Sequence, residues 1–156
     1  MSTDLKQEFW TRLADVRAGM LDTGQGRFVP MSPYAEADES AIWFITAKGT
    51  DLVDAAEAGG DATLMISDPK ADLYAQVEGR IALVDDSEKL DEIWNGVAAA
   101  WFEDGREDDS VRLVKMTPKS AEVWATKGSA GFLYEIAKAH VTHDLPDMGD
   151  HGTVTF

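Results

Sequence analysis

The chain has 156 residues, long enough for one domain with a sizeable core, and its apolar share of 44% is that of an ordinary globular protein. Its 14 basic and 29 acidic residues leave a formal charge of −15, which repels nucleic-acid phosphates and anionic lipid headgroups and disfavours both as partners. Cysteine is absent, which removes disulfides, thiolate nucleophiles and cysteine-based zinc sites; with no apolar run near the ~18 residues of a membrane helix and no signal-peptide pattern in residues 1–6, the expectation is a soluble, cytoplasmic protein.

Leu5, Phe9, Trp10, Leu13 and Val16 recur at near-helical spacing, predicting an N-terminal helix over about 4–19, stopped near Gly19. Three apolar segments follow at 27–32, 41–46 and 62–67, each of strand length and bounded by Gly, Pro, Asp or Ser. Between the last two, Thr50 stands as an N-cap before Asp51 and Asp54, and Gly59-Gly60 closes a short helix. Residues 73–84 alternate as one long strand, with Leu73, Ala75 and Val77 on one side and a bend at Gly79. Asp85-Asp86-Ser87 opens a helix presenting Leu90, Ile93, Trp94 and Val97 on one face, extended through 98–102, before an exposed charged loop at 103–109. Two short strands, 112–116 and 121–125, are predicted around a turn at Thr117-Pro118-Lys119-Ser120. A closing helix over about 129–141 turns Phe132, Leu133 and Ile136 inward, and the polar tail is expected to pack loosely apart from Val154 and Phe156. The order of many short strands with few helices between them argues for one domain over 1–156, built on a mainly antiparallel sheet closed or split as a barrel.

Thr46-Ala47-Lys48-Gly49-Thr50 gathers two hydroxyls, an ammonium and a glycine at a strand end, with Thr50 at a helix N-terminus where N–H groups favour an anion. Asp51 competes for the same donors, and on spacing alone a capped helix after a strand is the plainer account. Five tryptophans, Trp10, Trp43, Trp94, Trp101 and Trp124, serve a core by default, and Trp124 falls on a late strand where it can meet a ligand or a second subunit. All three histidines, His140, His143 and His151, lie near the C-terminus without the further ligands a metal needs, so no metal site is expected. The acid pairs at 85–86 and 108–109 read as solvated, and no Gly-x-Ser-x-Gly sequence exists, so no catalytic residue is assigned.

These residues also resemble the general stress protein branch of the pyridoxamine 5′-phosphate oxidase-like proteins. The resemblance rests on Pro30-Met31; Trp43-Phe44-x-Thr46 with Lys48; the strand from Tyr74 to Glu78-Gly79; Leu90-x-x-x-Trp94; Ala100-Trp101-Phe102-x-Asp104-Gly105-x-x-Asp108; and Pro118-x-x-Ala121-Glu122-x-Trp124, in that order over most of the chain. It implies a six-stranded antiparallel split β-barrel with short flanking helices, a homodimer, and flavin mononucleotide (FMN) in clefts at the subunit interface. Pro30, Met31 and Ser32 would lie against the flavin ring with Phe44, Ile45 and Thr46 beside them; Lys48 and Thr50 would take the phosphate; Trp101 and Trp124 would approach from the partner subunit. FAD, a deazaflavin, haem or no cofactor are the alternatives.

The chain departs from the family pattern in three places. Val29 stands where relatives often have arginine, with Arg27 two residues earlier on the same face; Ala47-Lys48 replaces an Arg-Lys pair; and the C-terminal Arg-x-His sequence of the true oxidases is missing. Pyridoxamine phosphate oxidase activity is therefore not expected. The expectation is a stress-associated FMN-binding oxidoreductase with a nicotinamide-type donor, the alternatives being a non-catalytic flavin holder or sensor and a cofactor-free dimeric interaction module.

Overall fold

The computed structural model describes residues 2–147 and 149–156, with side chains from Leu5 onward except those of Val97 and Ser129. The first helix, α1 (Ser2–Leu13), is shorter than its apolar pattern suggests. Its end tightens, the Asp15 and Val16 N–H groups donating to the Arg12 and Leu13 carbonyls at 3.0 and 3.1 Å, so Val16 is buried from outside the helix. Gly19 does not stop the helix; it opens β1 (Gly19–Asp22), where a Cβ would stand 3.0 Å from Leu64 and 3.1 Å from the Met65 carbonyl. There the residue permits a close strand approach.

The remaining elements are β2 (Val29–Met31), β3 (Tyr34–Glu36), β4 (Ala41–Ala47), α2 (Asp51–Ala58), β5 (Asp61–Asp68), β6 (Leu73–Val84), α3 (Ser87–Ile93), α4 (Gly96–Ala99), β7 (Val111–Thr126), α5 (Ser129–Thr142) and β8 (Gly149–Thr155). The strands form one antiparallel sheet in the order β2-β1-β5-β6-β7-β4-β3, with β8 also paired to β7. The two ends of that path, β2 and β3, are separated in the chain by Ser32 and Pro33 alone, so the sheet has to curl round on itself. The result is the expected antiparallel split barrel, with eight strands in place of six because β1, β3 and β8 are too short or too polar to show a period-2 pattern.

Inside lie Leu21, Ile42, Phe44, Leu64, Leu73, Val77, Val114, Met116 and Val123, plugged by Phe9 and Leu13 of α1 and Leu52 and Ala56 of α2. Fully burying one such side chain contributes about 1.5–3 kcal/mol. Arg12 fixes α1 to the barrel, donating to the carbonyls of Asp72 at 2.6 Å and Thr126 at 2.8 Å. A second, smaller cluster of Ala41, Trp43, Leu90 and Leu113 packs α3 onto the opposite face of β4. Val97, expected on the same helical face, has its side chain outside the described residues.

Residues 112–125 do not form two strands around a turn. They form the single 16-residue β7, and the apparent break is a bulge: Val77 pairs with Ala121 and Gly79 with Pro118, so four residues of β7 oppose three of β6. The extra residue changes which parity points inward, from Val114 and Met116 to Ala121, Val123 and Ala125. At its C-terminal end β7 pairs with β8 from Gly149 to Thr155, so the tail is not loose; Val154 and Phe156 pack as expected, the first fully buried and the second edge-on against Phe9 and Trp10 at 5.4 and 5.5 Å.

In α5, Phe132 and Leu133 are 48% and 66% exposed, and the buried face carries Glu135. Its carboxylate accepts from the Asp147 N–H at 3.1 Å and the Lys127 ammonium at 3.2 Å, contacts that hold Glu135 below the usual carboxylate range. Those partners explain a buried acid where an apolar side chain was expected.

Two outcomes test this packing. A Cβ at Gly79 would stand 2.5 Å from the Thr117 carbonyl oxygen and 2.8 Å from Pro118 Cα, so Gly79→Ala is expected to lower the urea-unfolding free energy by about 1–3 kcal/mol; an unchanged midpoint would mean that the two strands part freely. In the 103–110 loop, Asp108 accepts from Ser110 Oγ at 2.7 Å, Ser110 N at 2.9 Å and Asp104 N at 3.1 Å, contacts that pull its carboxyl down to about 2 from 3.8. Because the folded value lies below the unfolded one, its contribution is present above about pH 4 and is lost as the pH falls toward 2. The difference in urea midpoint between the parent and Asp108→Ala should therefore narrow across that window.

Candidate functional site

The split in the barrel lies beside β4. One edge of this strand pairs with β7 from Ile42 to Ala47, but the other pairs with β3 only from Ala41 to Trp43. From Phe44 onward that edge has no partner strand, and β2 stands across the gap. The unpaired backbone of an edge is a ready acceptor and donor surface.

Two joined cavities open along this gap. The first, about 370 Å³, is lined by Thr23, Gln25 and Arg27 from the β1–β2 loop, by Pro30 and Met31, and by Thr46, Gly49, Thr50 and Asp51 at the start of α2. The second, about 470 Å³, is lined by Ser32, Tyr34, Ile45, Ala98, Trp101 and Phe102 together with Pro30, Met31, Thr46 and Thr50. The four residues common to both make a single two-chambered cleft. Its size falls in the range of small-ligand sites, about 300–1,000 Å³.

Strand parity divides the chambers chemically. Thr46 shares the inward face of β4 with Phe44 and reaches the polar chamber, whereas Ile45 shares the other face with Trp43 and reaches the apolar one. Thr50 holds the polar end in place: its hydroxyl donates to the Ala47 carbonyl at 3.0 Å and accepts from the Val53 N–H at 3.3 Å. The apolar wall comes from α4 and the turn after it. A break at Trp94 leaves Asn95 to accept from the Ala98 N–H at 2.9 Å while its amide donates to the Tyr34 hydroxyl at 3.1 Å. Helix α3 is fixed to β3 by Lys89, whose ammonium bonds Glu36 and Glu92; Glu36 is held below its ordinary range by Lys89 and Lys89 above its own by both acids.

Of the residues expected at the site, Pro30, Met31, Thr46 and Thr50 line both chambers, and Ser32, Ile45 and Trp101 line the apolar one, with Trp101 80% exposed at its mouth. Phe44 is fully buried in the core behind the cleft. Lys48 lies outside both linings, half-exposed, 3.4 Å from Asp109. Trp124 sits elsewhere on the chain, stacked on His151 with ring centroids 4.6 Å apart, and His151 is 2.9 Å from Glu122. Its neighbour Glu122 is four strands from Pro30 in register, roughly 19 Å across the sheet.

The lining also includes residues that motif reading did not assign to the site: Thr23, Gln25, Asp51, Tyr34, Ala98 and Phe102. Among the described residues no three His, Cys, Asp or Glu side chains gather as metal ligands, and no helix is long and apolar enough to cross a membrane.

Comparison with known proteins places this geometry. A general stress protein 26 candidate from Jannaschia sp. CCS1 is 52% identical over the whole of both chains, with a TM-score of 0.94. The general stress FMN/FAD binding protein of Xanthomonas citri is 29% identical, over 81% of this chain and 92% of its own, at a TM-score of 0.71. General Stress Protein 26 of Bacillus anthracis str. Sterne shares the fold at 20% identity, over 76% and 92% of the two chains, with a TM-score of 0.66. Comparison with curated proteins finds no match. The sequence profile described as pyridoxamine 5′-phosphate oxidase like matches residues 4–147, and the chain belongs to that family.

Proposed function

We propose that this chain binds a flavin, FMN in the first instance, in the two-chambered cleft, and works as a stress-associated oxidoreductase with a nicotinamide-type electron donor. The observation that carries the reading is the match between cleft and ligand: an apolar chamber walled by Ile45, Tyr34, Trp101 and Phe102 for a flat ring, joined to a polar chamber of hydroxyls and an amide for the ribityl tail. The relationship to the FMN/FAD binding protein of X. citri supports it. When bound, the flavin would supply the electron chemistry.

This chain's own residues would bind and orient. Thr46, Thr50 and Gln25 offer hydrogen bonds to the tail, and Arg27 is the cation among the lining residues, as Lys48 faces away toward Asp109. The unpaired edge of β4 near Ile45 offers backbone groups to the polar rim of the ring, and Trp101 at the mouth would shield it from water. The apolar chamber carries one titratable side chain, Tyr34, so no general base is assigned.

The proposal includes a homodimer. Met20, Met65 and Trp124, between 37% and 41% exposed, stand on the outer face of the sheet in rows that continue from the cleft wall at Pro30. Covering that face with a second copy would shield these side chains and carry Trp124 toward the partner's cleft.

An absorbance spectrum of the purified protein, mixed with FMN and desalted, is expected to keep the two visible flavin bands. Arg27→Gln should weaken FMN by about 1–2 kcal/mol and more than Lys48→Ala does; the reverse order would return the phosphate to Lys48. Bleaching by NADH or NADPH, reversed by an added acceptor, supports the oxidoreductase, whereas a bound flavin inert to both donors would make the protein a holder. Light scattering should give a dimer's mass, and a monomer that retains flavin would remove the second copy from the site.

A further inference from the structure

The charge balance of the polar chamber bears on which flavin the cleft prefers. Among the described residues lining the two chambers, Arg27 and Asp51 are the only ones with a formal charge, and they face each other at 3.4 Å. Their formal charges sum to zero, and since both side chains are more than half exposed the pair is solvent-screened; the polar chamber then presents hydroxyls, an amide and backbone to a ligand, with no net formal charge. The chain's formal charge of −15 adds a long-range opposition to anions. A phosphate monoester carries about −1.5 to −2 at neutral pH. Entering this chamber, it must share Arg27 with the Asp51 carboxylate at close range. A flavin with an uncharged tail meets no such opposition and still finds the apolar chamber and the hydroxyls of Thr46 and Thr50.

We propose that Asp51 is a specificity-determining residue that cancels the preference for a phosphorylated tail, so the cleft grips a flavin by its ring and takes riboflavin about as readily as FMN. This rests on the flavin-binding reading and names the chemical class that the site accepts: an isoalloxazine with a neutral or weakly charged tail. Asp51 acts on the tail through charge alone. It does not cap α2, whose first-turn bond is made by Thr50.

The test is titration of riboflavin and FMN, followed by tryptophan and flavin fluorescence, into the parent, Asp51→Asn and Asp51→Glu. In the parent the two dissociation constants should agree within about threefold, and FMN affinity should hold or rise as salt screens the acidic surface. Asp51→Asn should tighten FMN by roughly 5–20-fold and leave riboflavin within about twofold, because Arg27 is then free for the phosphate. Asp51→Glu should behave as the parent. A parent that prefers FMN by about a hundredfold overturns the proposal, as does an Asp51→Asn variant that shifts both ligands equally, which would mark a change of shape. Failure of every variant to bind either flavin overturns the flavin reading itself, and this inference with it.

Discussion

β7 carries two different neighbours along one edge, and the cleft depends on that. Its first half pairs with β4 and its second half with β8, while β6 follows the other edge throughout. The extra residue near Lys119 lies between the two halves and lets the strand turn between them. β4 is thus held firmly on one side, and because β3 is three residues long it covers only the beginning of the other. A longer β3 would zip the gap shut. The site is therefore a place where pairing stops, and the cost of leaving backbone groups unpaired there is kept small by their access to solvent or ligand.

The division of the cleft into polar and apolar chambers needs no separate device. Consecutive residues of β4 point to opposite faces, so Ile45 lines the apolar chamber alone while its neighbour Thr46 also reaches the polar one. The same alternation buries Phe44 and Trp43 on opposite sides, anchoring the strand in both hydrophobic clusters. A strand packed on both faces cannot slip in register without exposing one of them.

The long elements were legible in the sequence because their periodicity is uninterrupted: β6 from Leu73 to Val84, and α2 between Thr50 and Gly59, occupy the positions that alternation and capping assign. β7 was not, because the bulge reverses its parity midway and Thr117-Pro118 has the composition of a turn. α5 misled for another reason. Its apolar residues read as a buried face, but Glu135 is buried instead, held by Lys127 and the Asp147 backbone from the segments on either side of the helix. Of the cleft, Pro30, Met31, Thr46 and Thr50 were legible through the resemblance, whereas the pairing of Arg27 with Asp51 joins residues 24 apart and leaves no local trace.

The break after α3 is the most consequential feature that composition did not reveal. Leu90, Ile93 and Trp94 continue a helical face toward 98–102, and a continuous helix would carry Trp101 and Phe102 along its own axis. Trp94 instead adopts an extended conformation, and Asn95 restarts the chain by capping the next turn. Phe102 then returns to pack on Trp94, with ring centroids 5.7 Å apart, and Trp101 is left over the apolar chamber. Asn95 also reaches Tyr34 on β3, so one side chain sets both the restart of the helix and a wall of the cleft. Local rules gave the wrong answer where the chain builds the apolar wall of the cleft, a place where long-range contacts override regular structure.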